Sequence, residues 1–146
     1  MPRQRRETVW NKCLATADTV LEYAPDLAAA HLVRAQALVR LGNAPAGIEA
    51  LISATRVAPE LTWIALRRLD IGLLVDGRTS ADAIALLTED IGRLLKSEDG
   101  AIGLARRYRG NPDARAFVVE TVEALPNESR RAFVSALQRL DETDGG

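Results

Sequence analysis

The chain has one cysteine, Cys13, and one histidine, His31, in 146 residues. A single thiol excludes a disulfide framework, and neither a second thiol nor a second histidine is there to complete a zinc-type ligand set. Aromatic residues make up only 4%, and runs of β-branched residues are absent, which leaves little to build strands from. Apolar runs fall short of the ~18 residues that a membrane span requires. The basic start, MPRQRRETVW, leads into a segment broken by Glu7, Asn11 and Lys12, so no signal-peptide core follows it. These absences predict a cytoplasmic protein without a membrane partner. Lysine occurs only at Lys12 and Lys96, and the formal net charge of −1 disfavours a polyanion as the main partner. Arginine in place of lysine suits bidentate anion recognition; the codon usage of a GC-rich bacterial genome explains the same bias more simply.

Catalytic chemistry is also missing. Phosphate-loop spacing does not occur, and Gly72 and Gly92 are isolated glycines inside helical patterns. Glu89-Asp90 and Glu98-Asp99 are adjacent in sequence, so on a helix they point apart and cannot share a proton. Ser80, Ser97 and Ser129 stand where helices begin, and capping accounts for them. Cys13 reads as a small residue on an amphipathic helix. His31 shares a face with Leu32 and Ala35 and reads as a packed histidine. The expectation is a protein that is not an enzyme and carries no cofactor.

What is present is helical. Hydrophobic residues amount to 47%, mostly alanine and leucine, both strong helix formers. Pro25 and Pro59 lie 34 positions apart and enclose two amphipathic runs separated by Leu41-Gly42-Asn43-Ala44-Pro45. Ala28, His31, Leu32, Ala35, Leu38 and Val39 recur at three- and four-residue steps, a helix period. Asp26 is the expected N-cap of this helix, and Gly42 the expected left-handed residue after its end near Leu41. Asn43 is the expected cap of the second helix, with Pro45 in its first turn. Ile48, Leu51, Ile52, Thr55 and Ala58 form the second apolar stripe. Ala35, Gly47 and Ala54 leave little side chain between the two helices and permit close antiparallel packing.

This unit resembles a tetratricopeptide repeat in its length, in the small residues Ala35, Gly47 and Ala54, in the turn glycine Gly42 and in the closing proline Pro59. It departs from the family pattern at His31 and Leu51, where aromatics are usual. The resemblance covers residues 26–59 best, about a quarter of the chain. It implies an all-α fold of antiparallel helical hairpins stacked as a short right-handed solenoid, with about seven or eight helices.

The remaining segments fit that frame. Residues 1–5 and 142–146 are expected to be disordered, with residues 6–141 forming a single domain. Val9, Trp10, Cys13, Leu14, Ala17, Val20 and Leu21 mark a first helix from about Arg6 to Tyr23, the second half of an incomplete repeat. Arg3, Arg5 and Arg6 offer contacts to a phosphate or an acidic partner, although a solvated tail is the simpler reading. Trp63, Ile64, Leu66, Leu69, Leu73 and Leu74 predict a helix over about 60–75. The turn Gly77-Arg78-Thr79-Ser80 follows, with Gly77 35 positions after Gly42, and then a helix bearing Ala83, Ile84, Leu87, Ile91, Leu94 and Leu95. Ser97-Glu98-Asp99-Gly100 reads as a polar turn. A short helix then runs to about Arg109, and Gly110-Asn111-Pro112 restarts the chain as Gly42-Asn43-Ala44-Pro45 does. The next helix carries Ala116, Phe117, Val119, Glu120, Val122 and Leu125. The last, about 128–141, uses Ala132, Phe133, Ala136, Leu137 and Leu140.

The resemblance implies a protein or peptide ligand held on the face lined by the first helix of each hairpin. Transferred to this chain, that face comprises Leu32, Gln36 and Arg40 from one hairpin and Trp63, Arg67 and Asp70 from the next. A tryptophan opening a repeat helix commonly packs inward, which would place Trp63 in the core instead. The lysine, asparagine and arginine with which part of the family grips a C-terminal carboxylate are not matched, since Leu32, Val33 and Gln36 stand in the first-helix places. The leading expectation is a non-catalytic interaction module, adaptor or scaffold. A self-associating structural or regulatory subunit, a homo-oligomer, is the second reading. RNA binding through Arg106, Arg107, Arg109, Arg130 and Arg131 is the third; among these only Tyr108 offers a stacking surface, and nucleic acid is disfavoured.

Overall fold

A computed structural model of the protein describes residues 2–75 and 80–145. Within them the chain forms eight α-helices, one short 3-10 turn and no strand. In order these are α1 (Arg3–Tyr23), α2 (Ala28–Arg40), α3 (Ala44–Val57), α4 (Thr62–Gly72), α5 (Ala81–Leu94), α6 (Glu98–Gly110), α7 (Arg115–Glu123) and α8 (Asn127–Asp144), with the 3-10 turn at Pro112–Ala114. No described helix is long and apolar enough to cross a membrane. The chain divides into two compact units, Met1–Leu86 and Leu87–Gly146, the boundary falling within α5.

The first unit is built around the α2–α3 hairpin. Gly42 has φ of 88°, and two bonds close the end of α2: the Gly42 amide donates to Val39 O (3.0 Å) and the Asn43 amide to Leu38 O (2.8 Å). This paired arrangement satisfies carbonyls that the helix leaves open, and it needs a left-handed residue at position 42. Asn43 Oδ1 then accepts from the Ala46 amide at 3.3 Å and starts α3, with Pro45 in the first turn. Both features agree with the sequence reading. Asp26 does not cap α2: the cap position is Leu27, and no side chain bonds there. The helix begins one residue later than an Asp26 cap requires, which carries the carboxylate past reach of the first-turn amides.

Ala35 and Ala54 are fully buried, and a β-carbon on Gly47 would stand 2.6 Å from Val39 Cγ2 and 3.3 Å from Ala35 O. The backbones of α2 and α3 approach closely because nothing larger separates them. Around this contact Leu32, Leu38, Leu51, Ile64 and Ile71 complete a continuous core. Helix α2 packs on α1, α3 and α4, and α3 also packs on α4. Helix α1 starts at Arg3, three residues earlier than the expected start at Arg6, and of its apolar stripe only Ala17 is buried. His31 Nε2 donates to Pro25 O (2.8 Å), tying the half-buried imidazole to the turn before α2.

Arg68 is the largest wholly buried side chain. Its guanidinium donates to the Ala58 carbonyl (3.0 Å) and the Pro59 carbonyl (3.4 Å), two acceptors just past the end of α3. Burial of this charge is tolerable because it meets the open carbonyl end of a helix, where the backbone dipoles present partial negative charge. The predicted turn residues Gly77, Arg78 and Thr79, with the closing Asp76, lie outside the described residues. Ser80 Oγ accepts from the Ala83 amide at 3.4 Å and opens α5.

In the second unit, Ser97 caps α6 through its hydroxyl, which accepts from the Gly100 amide at 3.1 Å. Glu98, Asp99 and Gly100 are therefore the first turn of α6 and not a separate turn. Gly110 and Asn111 also depart from expectation. Gly110 is the last residue of α6, Asn111 makes no side-chain cap, and a 3-10 turn precedes α7. The buried residues of α7 are Phe117, Val118, Thr121 and Val122, while Ala116 is exposed. Helix α8 extends from Asn127 to Asp144 and packs on α6 and α7. Tyr108 and Phe133 meet edge to face, 5.4 Å between centroids.

Candidate functional site

The α2–α4 contact in the first unit sets the geometry of the expected binding face. Both helices bury the stripe that packs inward, Leu32, Ala35 and Leu38 on α2 and Ile64, Leu69 and Ile71 on α4. Residues set off from these stripes by helical rotation are left at the surface. On α2 these include Val33 and Gln36, and on α4 Trp63, Arg67 and Asp70.

Arg67 joins the two helices. Its Nη2 donates to Gln36 Oε1 of α2 at 3.4 Å, and its Nη1 to Asp70 Oδ2 of its own helix, also at 3.4 Å. Both bonds are long and exposed to water. They orient the guanidinium at little energetic gain, and ligand groups can replace them at little loss. Trp63 precedes Arg67 by one helical turn on the same side of α4, and its side chain is 55% exposed. Inward packing of Trp63 is thus corrected: Ile64 and Ala65 take the core positions, and the indole faces solvent.

The six predicted residues separate into three groups. Gln36, Arg67 and Asp70 form one bonded set, with Trp63 beside it on α4. Leu32 is 5% exposed and belongs to the core, one helical position away from the exposed Val33. Arg40 is exposed but is turned toward α1, where its guanidinium lies over the Trp10 ring, 5.9 Å from the centroid. Val33, 42% exposed, is a surface residue that the sequence reading set aside. Its signal was its position, three residues before Gln36.

The arginines of the second unit are largely engaged within it. Arg109 pairs with Asp141 and with Asp144 (3.1 Å), and also donates to Leu137 O. Arg139 pairs with Glu98, and Arg130 donates to Asn127 Oδ1. Arg115 donates to the carbonyls of Tyr108 and Arg109 while lying over the Tyr108 ring. Tyr108 is thereby covered by a cation of its own chain and by Phe133. Among the described residues, no group of three histidine, cysteine, aspartate or glutamate side chains converges to hold a metal ion. No family model, curated protein or solved structure matches the chain.

Proposed function

We propose that the protein is a non-catalytic interaction module of the tetratricopeptide-repeat type, which holds a peptide or partner helix on the α2–α4 face. The observation that carries this reading is the exposed indole of Trp63 beside the Gln36–Arg67–Asp70 set. An aromatic and an arginine standing together at a surface are the residue types that dominate binding energy at interfaces. Val33 adds apolar area on the facing helix. Leu32 is not part of the proposed contact, because its side chain already serves the core.

The test is capture from the native cell with wild-type protein and with the Gln36→Ala, Arg67→Ala double variant as bait. The double variant should keep its helical spectrum and lose what the wild type retains. Capture that survives this variant but fails when Arg106, Arg107 and Arg109 are replaced would move the site to the second unit.

A second reading is self-association as a structural or regulatory subunit. The poorly covered stripe of α1 supports it, since Val9 is exposed and Ala17 alone is buried. Sedimentation at two concentrations separates the readings, because only self-association makes the measured mass rise with concentration.

A further inference from the structure

A cleft of about 600 Å³ lies between the N-terminal half of α1 and the end of α2, lined by Arg3, Arg6, Glu7, Trp10, Arg40 and Gly42 among others. Its charges do not cancel. Arg3 Nε pairs with Glu7 Oε1 at 3.0 Å, one turn along α1. Among the described residues no carboxylate pairs with Arg6 or Arg40. Two positive charges are thus left facing one concave surface of a protein whose formal net charge is −1.

The Arg40 guanidinium lies over the Trp10 ring, 5.9 Å from its centroid. A guanidinium held over a ring keeps its N–H groups for a two-point bond to an oxyanion. Arg6 lies one turn before Trp10 on α1 and lines the same cleft. The rim is open at Gly42, where nothing stands within 4 Å of the position a β-carbon would take.

We propose that this cleft binds a phosphate monoester or diphosphate group, with Arg6 and Arg40 as its ligands and Trp10 as the ring that Arg40 lies over. Charge selects this class. A phosphate monoester carries ≈ −1.5 to −2 at neutral pH, which matches two unpaired guanidiniums, whereas a single carboxylate would leave one of them unneutralised. Bidentate geometry favours the same oxygen-rich group. The site is separate from the α2–α4 face, and it gives Arg40 a role different from the one its sequence position suggested.

The experiment uses the full chain carrying Trp63→Phe, so that Trp10 is the only tryptophan. Sodium pyrophosphate, a phosphoserine hexapeptide and its unphosphorylated form are titrated at constant ionic strength, with fluorescence and calorimetry as parallel readouts. Saturable binding of pyrophosphate or of the phosphopeptide is expected, and the two arms tell a free phosphate from a phosphorylated segment. Arg6→Gln and Arg40→Gln should each weaken binding about tenfold or more, while Arg56→Gln, an exposed arginine outside the cleft with the same change in net charge, should leave it unaltered. The proposal is overturned if neither phosphate ligand saturates at millimolar concentration by either readout. It is equally overturned if both cleft variants bind like wild type, or if malonate binds as tightly as pyrophosphate.

Discussion

Gly47 and Val39 stand so close across the α2–α3 hairpin that a β-carbon at residue 47 would come within 2.6 Å of Val39 Cγ2. A valine side chain is stiff at χ1 and cannot swing aside cheaply. Gly47→Ala should therefore destabilise the protein by ~1–3 kcal/mol despite the higher helix propensity of alanine. Thermal melts of Gly47→Ala, Val39→Ala and the double variant check this. The double variant should melt higher than the sum of the two single losses implies, since removing Val39 Cγ2 relieves the clash. Simple additivity would mean that the helices do not meet at this pair.

Gly100 makes a similar prediction in the second unit. A β-carbon there would lie 2.2 Å from the Leu94 carbonyl oxygen and 2.8 Å from the Ser97 hydroxyl. The nearer neighbour is backbone, so relief requires shifting the start of α6 against the end of α5. Gly100→Ala should cost at least as much as an ordinary overpacked site, ~1–3 kcal/mol, and chemical denaturation is the measurement. A neutral result would show that this turn repacks freely.

Gly42 is constrained by its own backbone. With φ of 88°, an L-residue there pays the left-handed penalty, so Gly42→Ala should lose about 1 kcal/mol. Asn is the substitution expected to recover part of the loss, because it tolerates this region better. Identical melting temperatures for the glycine and alanine forms would contradict the α2 C-terminal geometry.

Arg67 and Arg68 should respond in opposite ways. Arg67 is exposed with two long bonds, so Arg67→Ala should change stability by no more than about 0.5 kcal/mol while weakening partner capture. Arg68→Met keeps the volume of the side chain but strips a charged donor from two carbonyls beyond α3, a loss of about 3 kcal/mol. Denaturant midpoints of the two variants measured side by side decide the matter. Equal midpoints would mean that Arg68 is not buried against the carbonyls beyond α3 while Arg67 stands exposed.

Much of the α2–α3 hairpin was legible before the fold because its signals are local or periodic. Gly42 alone among nearby residues accepts a left-handed turn cheaply, Asn43 reaches an amide three residues ahead, and Ser97 does the same for α6. The small residues at 35, 47 and 54 recur on the faces that meet, so spacing alone foretold a close approach. Asp26 failed as a cap because a one-residue shift of the helix start, invisible in the sequence, takes the carboxylate out of reach. Gly110-Asn111 copied the letters of Gly42-Asn43 without the conformation, since Gly110 stays within α6.

The sequence by itself determined the helices and the tight turn at Gly42, because each depends on residue type and short-range spacing. Only the tertiary structure decided that Leu32 is core and Val33 surface, that Arg68 is buried while Arg67 reaches Gln36, that Trp63 faces water, and that Arg40 turns to Trp10. Each of these depends on how a helix is rotated about its axis against its neighbours. Adjacent residues on a helix differ by about 100° in direction, so a small rotation fixed by packing exchanges an interior side chain for an exposed one.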